Sequence, residues 1–568
     1  MIKRITLLTL LFFPALIVSA QIMMSIGGNK YDISEIDSIS FINIDVPSAT
    51  TNMDANGDYS IFCEALRRTG LADSLTITDK GKAYEMTSPK DRDGNILYYP
   101  KRSDVGWTVF AEKDAVLNAA GINSFDVLAQ KCREWYGNPN WYDLLKEKGI
   151  QVSTDTDYEN EWNVVHMFVA YHIVRARMAV NELVYERTTA NQATWNYCFG
   201  YEPQAYYETM LKGTLLKVWA TDTQNDHMNP ALWINRYVKN NTLTDQYGTF
   251  GSDAMHPLIY SGAQIDRTGS IEATNAWVHS IDKVLLYDRN ARDAQHERMR
   301  LSQNQLLPEL ASANIMRATT QQVSEWNKGG DGNRIAFPLD YFDNLRCYTE
   351  NMVLCYNVQG AWRALESTQF QGWGNYDYAI RLPRVPSGKY ELRIIYPPMY
   401  RGGEVEYSIG NNDDPSSMTK INTLDATLDP NLADFGYVVI GSDNSFGIMA
   451  EKNMRKKGYM YAPASFSRGS YNKITSKLTV TDNDPYSACR RITGSNNCRS
   501  ESGYGTFQLR YIIGTVDMKQ SEDYWLRIRV SGLVSDWMTI SDIGWSFNFI
   551  ELVPTDVANN GTYMEDWY

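Results

Sequence analysis

The amino-acid sequence predicts a mixed α+β domain followed by an all-β sandwich or jelly roll. Three observations predict it. From about 57 to 290, helical and strand-like patterns interleave without a regular βαβ repeat. Beyond about 331, apolar and polar residues alternate with period two in short segments between Pro, Gly and Asn turns, which marks half-buried antiparallel strands. The 568 residues are also too many for one hydrophobic core, so at least two are expected.

The opening reads as an export signal. Lys3 and Arg4 precede an almost wholly apolar run from Ile5 to Val18, and Val18-Ser19-Ala20 supplies the small residues of a cleavage site. Residues 1–20 are therefore expected to be removed, leaving Gln21 as the first residue. The apolar run is too short to span the ~30 Å bilayer core, and no later stretch reaches ~20 apolar residues, so no transmembrane segment is expected. No Cys follows Ala20 to take a lipid anchor. The protein is expected to cross the inner membrane. It would then stay in the periplasm, sit at the outer-membrane surface or become extracellular.

Residues 21–56 read as an extended lead-in ending in a polar linker from Thr50 to Gly57. A helix is expected from Asp58, with Ile61, Phe62, Ala65 and Leu66 on one face and Gly70 at its end. Thr108-Val109-Phe110 reads as a strand leading into a helical turn. A further helix starts at Ser124 and stops near Gly137. Trp162, Val165 and Val169 mark another helix face, followed by a strand at Tyr171-His172-Ile173-Val174. Residues 201–290 mix short strands with Gly-containing turns.

Residues 291–330 are rich in Arg, Gln and Glu. The rhythm of Leu306, Leu307, Leu310 and Ile315 predicts a helical connector, and chain cleavage by protease is expected there. Strands are expected around Tyr378, Ile380 and Leu382, around Tyr390, Leu392, Ile394 and Tyr396, and around Val405, Tyr407 and Ile409. Leu526, Ile528 and Val530 form another, as do Trp545, Phe547 and Phe549. Several such strands in 331–556 define the sandwich, with 557–568 as a tail.

The formal charge is −13, and loss of Lys3 and Arg4 makes it more negative. That argues against a general nucleic-acid binder. There is no HExxH, P-loop, GxGxxG or GxSxG motif. The six histidines are His166, His172, His227, His256, His279 and His296. His166 and His172 are six apart, which on a helix points their rings in different directions and disfavours a shared metal. Asp482-Asn483-Asp484 offers oxygen ligands for calcium but reads better as a solvated turn. No cofactor, metal or catalytic residue is assigned. Among seven cysteines, Cys489 and Cys498 lie in a polar Gly/Asn stretch and are the best disulfide pair. Cys63, Cys132, Cys198 and Cys355 read as buried thiols.

The stretch Thr108-Val109-Phe110-Ala111-Glu112-Lys113-Asp114-Ala115 resembles the first signature of fasciclin domains, with Glu112 where that family has a proline-threonine texture. Tyr171-His172 resembles the family's central Tyr-His pair. Gly269 to Leu285, with Asn275 and the run Val278-His279-Ser280-Ile281-Asp282-Lys283-Val284-Leu285, resembles its second signature. The resemblance covers 57–290, with insertions at 130–160 and 190–265, and implies a β-wedge with helices and an adhesion role. For His172 it implies an adhesive contact, against which stands a ring that bonds backbone and locks a strand. For Asp282 it implies a partner contact, against a turn or capping role. Residues 382–393, 452–460 and 549–554 resemble the domain that follows fasciclin domains in glycan-utilisation clusters of Gram-negative bacteria, which implies a galactose-binding-like sandwich.

The chain contains 37 tyrosines and 15 tryptophans. Trp135, Tyr136, Trp141 and Tyr142 flank a Gly/Pro/Asn turn, and Trp373, Tyr376 and Tyr400 lie near strand ends. Aromatic faces stack on the C–H faces of sugars, so these rings are candidate glycan or partner contacts. The competing reading makes them staples that pin loops to the core. Together these features predict an exported, non-enzymatic adhesion or binding protein that meets a glycan or a cell-surface protein. The alternative is a structural accessory subunit of an outer-membrane uptake complex with no sugar site. A glycoside hydrolase comes third, since chance carboxylate pairs abound among 67 acidic residues.

Overall fold

In the computed structural model the described residues are 23–26, 29–32, 47–76, 106–184, 204–223, 226–238, 259–260, 262–316, 318, 334–357, 368–397, 403–428, 435, 453–461, 470–472, 477–479, 508–531 and 544–558. Helices and several sheets are both present, and strands predominate. The chain divides into two compact units, 1–46 and 47–568. The first contains an antiparallel hairpin, Met23–Ile26 with Asn29–Asp32. The second contains everything described below, so no boundary between compact units falls in 291–330.

Two expectations near the start of the second unit are corrected. The stretch read as a linker forms the helix Ala49–Asn56, capped by the Ser48 hydroxyl on the Thr51 amide and ended by Gly57 at φ 80°. The next helix, Ser60–Arg68, is not capped by Asp58. The Asp114 carboxylate, brought over from a later helix, accepts from the Ser60 and Ile61 amides at 3.0 Å each. The Ile61, Phe62, Ala65 and Leu66 face is buried as expected.

Further helices run Phe125–Tyr136, Asp143–Lys148 and Val164–Tyr171. The last corrects the strand read at Tyr171-His172. Asn163 caps it on Val165, the helix continues through Tyr171, and only Ile173–Val174 is extended. Seven of its eight residues are buried, so it lacks the polar face that makes a helix legible.

The helices pack on an eight-stranded sheet. Its path runs Ile173–Val174, Trp107–Glu112, Ala276–Ile281, Ala263–Ile265, Asp226–Ile234, Leu215–Thr223 and Gln204–Glu208. Ile271–Glu272 pairs off this path with Ala276–Ile281. Second and third on this path, Trp107–Glu112 and Ala276–Ile281 are parallel, with Thr108 beside Trp277 and Phe110 beside His279.

Among the described residues the second half is all-β apart from short helical turns. One five-stranded sheet runs Met299–Ser302, Phe549–Pro554, Gly388–Tyr396, Leu509–Met518 and Tyr459–Tyr461. A second runs Leu345–Cys347, Asp377–Leu382, Tyr524–Ser531, Glu404–Gly410 and Thr419–Asp425. A four-stranded sheet runs Arg334–Phe337, Met352–Asn357, Gln369–Gly374 and Gly544–Phe547. All three contribute to one core that includes Leu354, Ile380, Leu392, Tyr407, Leu526 and Leu552. The run Trp545 to Phe549, read as one strand, is two. It breaks at Asn548, and the chain passes from the four-stranded to a five-stranded sheet.

The stretch 291–330 is not a helical connector where it is described. After the short helix Arg289–Asp293 it forms Met299–Ser302, which pairs with Phe549–Pro554, and then two four-residue helices. Leu306, Leu307, Leu310 and Ile315 enter the core of the β-rich half, together with Tyr206 and Leu215 from the first half. Gln520 seals the same seam. It accepts from the Leu144 amide at 3.0 Å and donates to the Gly213 carbonyl at 2.7 Å and the Tyr287 hydroxyl at 2.8 Å.

Candidate functional site

The three sequence stretches singled out in the first half meet in space. Thr108 donates to the Ala176 carbonyl at 2.6 Å and accepts from the Met178 amide at 3.1 Å, fixing the chain after the 173–174 strand. Val109 and Phe110 are fully buried. The Tyr171 hydroxyl donates to the Leu215 carbonyl at 3.0 Å. His172 Nδ1 lies 2.7 Å from the Phe168 carbonyl and Nε2 lies 3.0 Å from Glu112 Oε1. Glu112 Oε1 also accepts from the Leu285 amide at 2.8 Å. Asn275 donates to the Leu75 carbonyl at 2.9 Å. Asp282 Oδ1 accepts from the Gln264 amide at 2.6 Å, a strand-end capping contact.

His279 is held by Ser270 on Nδ1 at 2.9 Å and the Met178 carbonyl on Nε2 at 3.0 Å. A carbonyl only accepts, so Nε2 carries the proton and Nδ1 accepts from Ser270. Burial pushes the imidazole down to about 4. These side chains join strands and loops, and both ring nitrogens of His172 and of His279 are engaged.

The aromatic candidates are mostly interior. Tyr136 and Tyr142 are buried, with the Tyr136 hydroxyl accepting from the Tyr287 amide at 2.9 Å and the Tyr142 hydroxyl donating to the Lys212 carbonyl. Half-buried Trp135 stacks on Phe168, centroids 6.0 Å apart, and half-buried Trp141 donates to the Tyr287 carbonyl at 3.0 Å. Trp373 is 8% exposed and lies next to the end of its strand, against Ala336, Val353 and Cys355, and Tyr376 is fully buried. The Gly/Pro/Asn turn at 137–140 is exposed in part, but the rings beside it turn inward. Tyr136, Tyr142, Trp373 and Tyr376 are therefore withdrawn as surface contacts. Tyr400, Cys489 and Cys498 lie outside the described residues, as do Cys198, His227, His256 and the Asp482-Asn483-Asp484 triplet. Cys63, Cys132 and Cys355 are buried, as expected.

A second set of charges sits within the Phe549–Pro554 sheet. Arg300 and Arg393 lie opposite Glu551 on its two neighbouring strands. Arg300 donates twice to Glu551 Oε1, at 3.0 and 2.7 Å, and Arg393 reaches Oε2 at 3.3 Å, with Arg510 at 3.5 Å. Arg393 and Arg455 both bond Glu391 at 2.6 Å. Burial alone would raise the Glu551 carboxyl, but the Arg510, Arg300, Arg393 and Arg298 charges outweigh it and hold the group far below the usual carboxylate range.

An open concavity occurs elsewhere, and sequence reasoning missed it. A cleft of about 630 Å³ follows residues 339–350, and its polar lining includes Asp340, Asp343, Arg346, Tyr348, Thr349 and Glu350, above Leu339, Phe342 and Leu345. Asp343 faces Arg175 of the first half at 3.3 Å. Arg346 bonds Asp413 at 2.9 Å and covers the Trp525 ring at 5.4 Å. Half-buried Tyr348 donates to the Asp413 carbonyl at 2.7 Å, and Arg527 lies 5.2 Å from its ring centroid while gripping both Asp377 oxygens. Burial, then Asp413, pushes the Tyr348 phenol up to about 12, and burial does the same to the adjacent Cys347 thiol. Both are thus neutral at pH 7. The size falls within the usual range for small-ligand sites. The residues are ordinary loop residues in sequence, with no spacing that announces them.

Compared with known proteins, the chain matches no family model, and no curated protein matches it.

Proposed function

We propose that the chain is an exported, non-enzymatic binding protein of a glycan-utilisation system. In this reading the first half is a fasciclin-like adhesion or docking module, the second half is a galactose-binding-like sandwich, and the 339–350 cleft is the ligand contact. The observation that carries it is the cleft itself. It offers carboxylates, an arginine, a threonine and a neutral phenol around a short apolar floor. Hydroxyl-rich ligands are held by such mixed donors and acceptors next to a ring or apolar strip. Leu428 is the one large apolar residue exposed among the described residues, so the described surface favours polar contacts over a greasy docking face.

The test is a glycan array with the full chain, followed by Tyr348→Ala and Glu350→Gln. At least tenfold weaker binding of the selected glycan with an unchanged melting curve supports the cleft. Wild-type binding by both variants refutes it. The burial of Tyr136, Tyr142, Trp373 and Tyr376 favours a second reading, a structural accessory subunit of an outer-membrane uptake complex without a sugar site. If the wild type binds no glycan, recovery of outer-membrane transporter subunits with the tagged protein supports that reading.

A further inference from the structure

Glu112 and His172 are both fully buried and 3.0 Å apart. The protonation of the pair follows from hydrogen-bond direction. The Phe168 carbonyl can only accept, so His172 Nδ1 carries a hydrogen. In a neutral imidazole that leaves a bare lone pair on Nε2, aimed at a carboxylate oxygen that also has only lone pairs to offer. A hydrogen bond at this distance requires one more proton, either on Nε2 or on Glu112 Oε1. Both placements give a pair with zero net charge.

We infer that Glu112 and His172 share one buried proton, which locks the Trp107–Glu112 strand, the end of the Val164–Tyr171 helix and the segment after the Ala276–Ile281 strand into one arrangement. Glu112 Oε1 reaches all three, because it also takes the Leu285 amide. Around the pair, helix Ser60–Arg68 contributes Phe62, 5.2 Å from the imidazole centroid, and Phe168 lies at 4.5 Å. Helix Phe125–Tyr136 contributes the Cys132 thiol, which burial pushes well above its ordinary value and keeps neutral. Among the described residues no other ionisable side chain bonds the pair.

Removing the proton from the folded pair would leave an uncompensated buried negative charge.

The experiment is nitrogen NMR at neutral pH of the full chain labelled at histidine, with His172 placed by difference from His172→Gln or, where that variant does not fold, by the signal that changes in Glu112→Gln. An Nε2 signal that is protonated or strongly hydrogen-bonded supports the shared proton. The signal of a bare, unbonded Nε2 refutes it.

Discussion

Glu551→Gln is the sharpest test of the charge network within the Phe549–Pro554 sheet. Glu551 is fully buried, and Arg300, Arg393 and Arg510 around it are at most 2% exposed. The two Arg300 bonds, at 3.0 and 2.7 Å, are charge-assisted and worth roughly 1.5–3 kcal/mol each. The contacts at 3.3–3.5 Å are long enough to add little. Breaking a buried pair from one side leaves cations without their anion, for which about 3–5 kcal/mol is typical. Both routes agree, so a loss of about 3–5 kcal/mol in denaturant unfolding is expected. The folded carboxyl titrates far below its unfolded counterpart. Its stabilisation is therefore present above pH ~4.3 and drains away as pH falls through the folded value. Wild type should lose stability on acidification, while Glu551→Gln should lack this component. A loss under about 1 kcal/mol at pH 7, with the acid slope unchanged, would refute the view that Glu551 organises these arginines.

Other outcomes follow from the sites described above. His279 titrates at about 4 folded and about 6.5 unfolded, so the unfolded state takes up the proton first and stability falls as pH drops from 6.5 to 4, by about 3 kcal/mol in total. His279→Gln should flatten that window in unfolding curves taken at half-unit steps. Gln520→Ala strands the Leu144 amide, the Gly213 carbonyl and the Tyr287 hydroxyl at the seam, and should cost about 3 kcal/mol or more. In wild type, calorimetry should give one joint transition for the two halves, and limited proteolysis should spare 299–316. Asp114→Ala removes the cap of Ser60–Arg68 and should lower stability by about 1–2 kcal/mol, whereas Asp58→Ala should change it by less than about 0.5 kcal/mol.

The sequence showed the strands of the second half most clearly. Tyr378, Ile380 and Leu382 point into one core while Asp377 and Arg381 stay partly exposed, so the period of two survives in the residue types. The same rule misleads at Leu392-Arg393-Ile394. Arg393 occupies what reads as a solvent position but is fully buried, because both faces of that sheet are covered and Glu551 sits opposite. Leu306, Leu307, Leu310 and Ile315 gave a helical rhythm, yet only two four-residue helices form, because the apolar surface waiting for these side chains lies far away in sequence. Asp114 as the cap of a helix 54 positions earlier is equally invisible to local patterns. Tyr136 and Tyr142 failed as surface candidates for a related reason. Turn residues report where the backbone is exposed, and a ring on either side is free to fold back. The cleft was illegible because no single residue in it is unusual. It is made by where Asp343, Arg346 and Tyr348 are placed beside strands from elsewhere.

The position of Phe549–Pro554 has a consequence for how this chain comes to be folded. It lies between Met299–Ser302 and Gly388–Tyr396, and Glu551 meets Arg300 across 251 positions of sequence. A ribosome releases the chain from the other end. Through most of synthesis, Met299–Ser302 and Gly388–Tyr396 each present an unsatisfied edge to whatever is nearby, which is the situation that invites wrong pairing. Closing so long a loop makes the last step slow. Phe549–Pro554, the last strand among the described residues, acts as the keystone of its sheet. A chain cut short before Phe549 would carry nearly all of its residues and still leave two strands without their common neighbour.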